Sequence, residues 1–287
     1  MPLCHSHQSS ALLHFRNSFA VGYFSYFCDL YSYPPKNSWK MGTDCCGWDG
    51  VTYDTMRGHV IGVDLSCSGL QGPIHPNSTL FSLRHLQRLI LAYNDFHGST
   101  ISSKFGGFAN MTHLNLTYSI AGFVTGSSFA SNFPSEISHL SKLVSLDLKF
   151  KELLVRRCNF IGSSYPTFLS NLTQITHLSL SNSNFGGQCP WSLLNNVGLI
   201  YLDLSYNNFI GQLPEVTTNL TQIFSSNNSS NSQLVNKIPS NLEYLFLSSN
   251  LLNGTIPSWV YTIPSLRYLH LDHNKFTRHI FLFSLKE

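Results

Sequence analysis

A chain of 287 residues that is 43% hydrophobic supports a continuous core. Its net charge of +3 and pI near 8.4 are too mild to call for a polyanionic partner, and its seventeen basic residues form no stripe, which argues against a nucleic-acid module. No run of 18 or more apolar residues occurs in the sequence, so it contains no helix able to span a membrane.

Residues 1–59 contain no repeat. Residues 8–19 read as an amphipathic helix, with Leu12, Leu13, Phe15 and Phe19 on its apolar side. Ser38-Trp39 follows, and then Thr43-Asp44-Cys45-Cys46-Gly47-Trp48-Asp49-Gly50-Val51-Thr52-Tyr53-Asp54. A solenoid end exposes apolar core and needs a cap. Segment 43–54, placed directly before the first repeat, is a specific signal of one.

From Val60 onward one line of sequence recurs. Its cleanest copy runs from Leu199 to Pro214, with Leu202, Leu204, Asn207, Phe209, Gly211 and Leu213 between them. Counted from the first residue of a unit, apolar residues fall at offsets 0, 3 and 5, Asn at 8, an apolar residue at 10, Gly at 12 and Pro at 15. Units begin at Val60, Leu86, Met111, Leu143, Ile175, Leu199, Leu220, Leu242 and Leu266, the one at Leu220 being degenerate. The pattern predicts an α/β leucine-rich-repeat solenoid: a right-handed horseshoe of about nine units over 60–287, with short parallel strands on its concave face and the helical cap over 1–59. Offsets 3 and 5 point strand side chains inward. Asn at offset 8 bonds backbone groups of adjacent turns, Gly at 12 permits geometry that a Cβ would hinder, and Pro at 15 stops regular helix.

The array is imperfect. Ser119 and Ser183 replace the Asn, and Cys189 takes an apolar offset, where it reads as a small buried hydrophobe. Insertions around 121–133 and 149–158 read as surface bulges. No Gly-x-Ser-x-Gly elbow, phosphate loop or kinase signature is present, so neither catalysis nor a cofactor is expected. His5-x-His7 reads as solvated, and no metal site is expected.

Sequons begin at Asn77, Asn110, Asn115, Asn171, Asn219, Asn227, Asn228 and Asn253. Eight of them together with a cystine-type cap favour the secretory route. Three residues precede Cys4, which leaves no room for a signal peptide. The chain stops within a repeat, without a C-terminal cap, as a mature-end fragment or truncated product would.

Several stretches carry a resemblance: Cys4 with Gln8, Ala11, Leu12, Leu13 and Phe15; Asp44-Cys45-Cys46 with Trp48, Gly50 and Val51; Asp64-Leu65-Ser66-Cys67; and the repeat consensus. With these the chain resembles plant leucine-rich-repeat receptor-like proteins, especially the class that confers resistance to fungal leaf mould. The resemblance implies an extracellular, non-catalytic domain for pathogen perception and defence signalling. It also implies a pathogen-derived protein or peptide ligand and a receptor-like kinase partner. The expected place is the outer side of the plasma membrane, held there by a segment absent from this chain. A secreted protein similar to polygalacturonase inhibitors and a non-functional receptor fragment are the rival readings.

The resemblance further implies a Cys4–Cys45 disulfide, and a second one from Cys46 to a cysteine at the place held here by Tyr53. Seven cysteines cannot all pair within the chain. Cys28 and Cys67 are candidates for another bridge, and either is also a candidate partner for Cys46.

Strand side chains between the buried leucines face the concave side. Offset 2 reads Gly62, Arg88, His113, Ser145, His177, Tyr201, Tyr244, Tyr268; offset 4 ends in Asp203, Phe246, His270; offset 7 ends in Tyr206, Ser249, His273. The expected ligand site is therefore Tyr201, Asp203, Tyr206, Tyr244, Phe246, Tyr268, His270 and His273, because aromatic side chains offer large contact area with a polar tip.

Overall fold

The computed structural model describes residues 4–22, 28, 38–96, 102–116, 135–147, 169, 172–183, 185–215 and 240–277. The chain divides into two compact bodies, Met1–Cys158 and Asn159–Glu287. The sequence readings at Cys158, Asn171, Asn219, Asn227 and Asn228, both insertions and Ser119 lie outside the described residues.

The first body opens with the cap. Helix α1 spans Ser6–Asn17 and buries Gln8, Ala11, Leu12 and Phe15. Phe19, just beyond its end, is also buried and meets Phe15 edge-on. Gln8 is a buried polar residue with a stated job: its Oε1 accepts the Val60 N–H at 2.9 Å, linking the helix to the first repeat strand. Thr79 Oγ donates to the Ala11 carbonyl at 2.7 Å. The rings of Trp39 and Trp48 stack, and their N–H groups are satisfied by the Asp49 carbonyl and the Thr43 hydroxyl. Cys4 is joined to Cys45 and Cys28 to Cys67, with Cα separations of 5.4 and 5.8 Å. Cys46 and Cys189 are free thiols.

The strands of this body are β1 (Ala20–Val21), β2 (Val51–Tyr53), β3 (Val60–Asp64), β4 (Leu70–Gln71), β5 (Arg88–Ile90), β6 (His113–Asn115) and β7 (Ser145–Asp147). β2 pairs antiparallel with β3, and β3, β5, β6 and β7 follow as a parallel ladder. β1 pairs antiparallel with β4.

The second body holds two parallel ladders. One runs β8 (His177–Ser179), β10 (Tyr201–Asp203), β12 (Tyr244–Phe246) and β14 (Tyr268–His270). The other runs β9 (Gly186–Gln188), β11 (Asn208–Gln212), β13 (Leu251–Gly254) and β15 (Lys275–Phe276). Between strands the backbone turns through 3-10 segments such as Trp191–Asn195 and Ser258–Tyr261, each headed by the offset-15 proline, Pro190 or Pro257. Proline at that place starts the short helix rather than merely ending a longer one.

One set of bonds recurs from unit to unit. Leu242, Leu245 and Leu247, at offsets 0, 3 and 5, are fully buried, as are Leu86, Leu89 and Leu91. Where offset 8 is asparagine, that residue closes the turn. Asn207 Nδ2 donates to the carbonyls of Leu180, Leu204 and Ser205, while its Oδ1 accepts from Ser183 and Phe185 N–H. Asn94 makes the same five bonds to Leu65, Leu91, Ala92, Ser68 and Leu70. Few other side chains can serve two N–H and three carbonyl groups at once. Gly254 at offset 12 has φ +76, and a Cβ there would lie 2.8 Å from Gln212 of the preceding unit. The positive φ favours glycine there.

One expectation needs correction. The offset-7 residues are not strand residues. Cys67, Tyr93, Asn182, Tyr206, Ser249 and His273 all have φ between 50° and 58°. This left-handed turn delivers the offset-7 N–H to the next unit, as from Tyr206 to the Ser248 carbonyl at 2.9 Å. The degenerate unit from Leu220 falls largely outside the described residues, and β10 pairs directly with β12. His5 and His7 are both exposed, as a solvated pair would be. His5, His59 and His85 stack with ring centroids 4.6 and 3.9 Å apart, and His7 lies tilted 5.6 Å from His5.

Candidate ligand-binding face

The β8–β10–β12–β14 ladder sets the geometry. Its register aligns His177, Tyr201, Tyr244 and Tyr268 in one row and Ser179, Asp203, Phe246 and His270 in another. The intervening row, Leu178, Leu202, Leu245 and Leu269, faces the other way, and its first three members are buried. The alternation is the reason the aromatic side chains share one face.

These rings touch. Tyr244 and Tyr268 stack with centroids 4.9 Å apart and planes 5° apart. Tyr201 lies 5.7 Å from Tyr244 and meets Phe246 edge-on at 5.6 Å. Phe246 lies 4.6 Å from His270. His177 stacks on Tyr201 at 6.1 Å. Tyr201, Tyr244 and Phe246 are half-buried by their neighbours, while Tyr268 is 51% exposed. Direct pairing of β10 with β12 makes the tyrosine row unbroken.

Other expected site residues are placed differently. Asp203 is buried, and its Oδ1 accepts the backbone N–H and hydroxyl of Ser205. Asp64 and Ser66 make the same turn in the first body. Asp-Leu-Ser is therefore a local turn device, and Asp203 offers a ligand little free carboxylate. Tyr206 is 60% exposed and His273 is exposed, but both project from the left-handed turn beyond the strands. His273 Nδ1 lies 2.6 Å from Asp272 Oδ2, and Asp272 also accepts the Ser248 hydroxyl at 2.6 Å. The Ser248 bond and then the His273 bond hold the Asp272 carboxyl below its usual range. His177 belongs with the patch although it is not among the expected site residues. Its offset-2 position beside Tyr201 is the signal that points to it.

The matching faces of the first body are different in kind. The β5–β6–β7 rows read Arg88, His113, Ser145 and Ile90, Asn115, Asp147. Of the sequon asparagines, Asn77 and Asn253 are exposed and Asn110 and Asn115 half-buried. Asn115 stands on β6, in the strand face itself.

Parallel strands closed by a buried Asn ladder define a leucine-rich-repeat protein. Family models described as leucine rich repeat match residues 235–276 and 198–220. Receptor-like protein 6 of Arabidopsis thaliana is 37% identical over 67% of the chain. The Receptor-like protein Cf-9 homolog of Solanum lycopersicum is 37% identical over 92% of it. The chain spans 22% of the former's length and 25% of the latter's. Among solved structures, the ectodomain of the Arabidopsis receptor kinase HAESA, in complex with an IDA peptide hormone ligand, shares the fold. Its TM-score is 0.59 at 23% identity, over 93% of this chain and 41% of that one. The chain belongs to the plant leucine-rich-repeat receptor-like proteins.

Proposed function

We propose that this chain is a ligand-recognition part of a receptor-like protein acting in pathogen perception at the outer side of the plasma membrane. It binds a pathogen-derived protein or peptide across the β8–β10–β12–β14 face and passes the event to a receptor-like kinase partner. It works by binding, without a cofactor or catalytic group of its own. Whole-protein attributes are carried over from relatives four to five times longer, and the HAESA ectodomain supplies the precedent of a peptide ligand on this fold.

The observation that carries the reading is the unbroken tyrosine row. Tyr201, Tyr244 and Tyr268 occupy three adjacent strands with their rings in contact. An aromatic row with hydroxyl tips suits a specific interface, because it combines apolar area with hydrogen-bonding groups at low entropic cost.

The test is capture. The secreted chain and its Tyr201→Ala/Tyr244→Ala variant, both immobilised, are exposed to secreted proteins of a leaf pathogen. The reading expects species held by the parent and released by the variant, at unchanged folding. Equal capture by both overturns it.

A further inference from the structure

The aromatic face carries three imidazoles as well as its rings. His177 on β8, His270 on β14 and His273 in the turn after β14 are all exposed. They border Tyr201, Phe246 and Asp272 respectively. The remaining charges on this side are few and engaged. Among the described residues, Asp203 is tied to Ser205, and Asp272 to Ser248 and His273. With the imidazoles neutral, these two carboxylates are the charges beside the rings, and an acidic chain is repelled. With all three imidazoles charged, cations outnumber carboxylates and the sign of the face reverses. Imidazole is the side chain whose charge ordinarily changes between about pH 5 and 8.

We propose that this face takes an acidic peptide segment, with protonation of His177, His270 and His273 setting the strength of the grip. The rings cover the apolar part of the segment. The imidazolium N–H groups donate charge-assisted hydrogen bonds to its carboxylates, which are stronger than neutral ones. Glutamates of the ligand keep their charge at mildly acidic pH, since their ordinary pKa is about 4.3. Attraction therefore rises as pH falls from neutral until the ligand's own carboxylates begin to protonate. The proposal rests on the reading of this face as the ligand site.

Two fluorescent peptides test it, one of repeating Glu-Gly-Leu and one of repeating Gln-Gly-Leu. Each is titrated against the 287-residue chain at about pH 5.5 and about pH 7.5. The Glu peptide is expected to bind roughly tenfold tighter at the lower pH, and the Gln peptide equally at both. His177→Gln/His270→Gln/His273→Gln removes the gain while the melting transition stays in place; if that triple variant does not fold, His270→Gln alone reduces the gain. A Glu peptide that binds no tighter in acid, or not at all, overturns the proposal. So does a gain shared by the Gln peptide or kept by a folded triple variant. The Tyr201→Ala/Tyr244→Ala variant separates the two ideas. If both peptides bind without pH dependence and lose affinity in it, the face stands and its preference for acid falls. If binding survives in it, the face itself is wrong.

Discussion

Tyr244 and Tyr268 lie face to face across β12 and β14, with ring centroids 4.9 Å apart and planes within 5°. Leu245 and Leu269, one residue further along each strand, pair in the same register on the opposite side. One side of the ladder is thus core and the other is surface, and the two should respond differently to truncation. Tyr244→Ala is expected to cost about 1 kcal/mol, the range of an aromatic pair beyond its buried area. Leu245→Ala, at a fully buried site, should cost about 2–5 kcal/mol. Chemical denaturation of the two variants checks the order; a tyrosine variant as damaged as the leucine variant would contradict the register.

The asparagine ladder makes a sharper demand. Asn207→Ala strips partners from three carbonyls and two N–H groups inside the second body. Each buried polar group left unpaired costs about 1–3 kcal/mol, so the loss should match or exceed that of Leu245→Ala. Asn207→Asp should be no better, since it keeps the acceptor but replaces the donor edge with an oxygen facing three carbonyl oxygens. A mild effect in denaturant melts would show that water replaces the amide.

Much of this scaffold was legible in the sequence, because the leucine, asparagine, glycine and proline offsets each answer to one strong constraint. Leu202, Leu204, Leu245 and Leu247 lie where the period puts them. The left-handed turn at offset 7 was not legible, since Cys, Tyr, Asn, Ser and His all occupy it and none is a glycine. The second ladder, β9 to β15, was hidden because its pairing depends on neighbouring units rather than on alternation within one. At the site, the tyrosine row was readable from a shared offset. The role of Asp203 was not, because an acidic residue on a strand looks the same whether it meets solvent or folds back onto a serine two residues later.

The histidine stack predicts a pH effect. Burial, followed by the neighbouring His85 and His5, pushes the His59 imidazole below its usual pKa, and its Nδ1 is buried without a hydrogen-bond partner. Asp54 pulls the other way and Arg57 with the histidines. A histidine depressed in the folded state binds its proton more readily when unfolded. Its contribution is therefore complete above the ordinary value near 6.5 and is lost as pH falls below it. Melting temperature should drop from neutral pH toward about pH 5, and His59→Gln should flatten the drop. Equal slopes for the two proteins would remove His59 from the account.

Cysteine chemistry separates the two free thiols among the described residues. Cys46 is half-buried beside Asp44, and burial followed by that carboxylate raises its pKa. Cys189 is wholly enclosed, and burial alone pushes its thiol well up. A neutral alkylating agent should label Cys46 slowly in the native protein and Cys189 only after unfolding. Peptide mapping of the same samples should recover Cys4 with Cys45 and Cys28 with Cys67. A Cys45–Cys46 or Cys4–Cys67 bridge would contradict the cap.

The claim that the second body's strand face is the recognition surface is tested most directly by hydrogen exchange, with and without a captured ligand. Protection is expected in the peptides carrying β10, β12 and β14 and the turns at Tyr206 and His273, with the β3, β5 and β6 peptides unchanged. Protection confined to β3, β5 and β6, with β10, β12 and β14 exchanging as in the free chain, would contradict it.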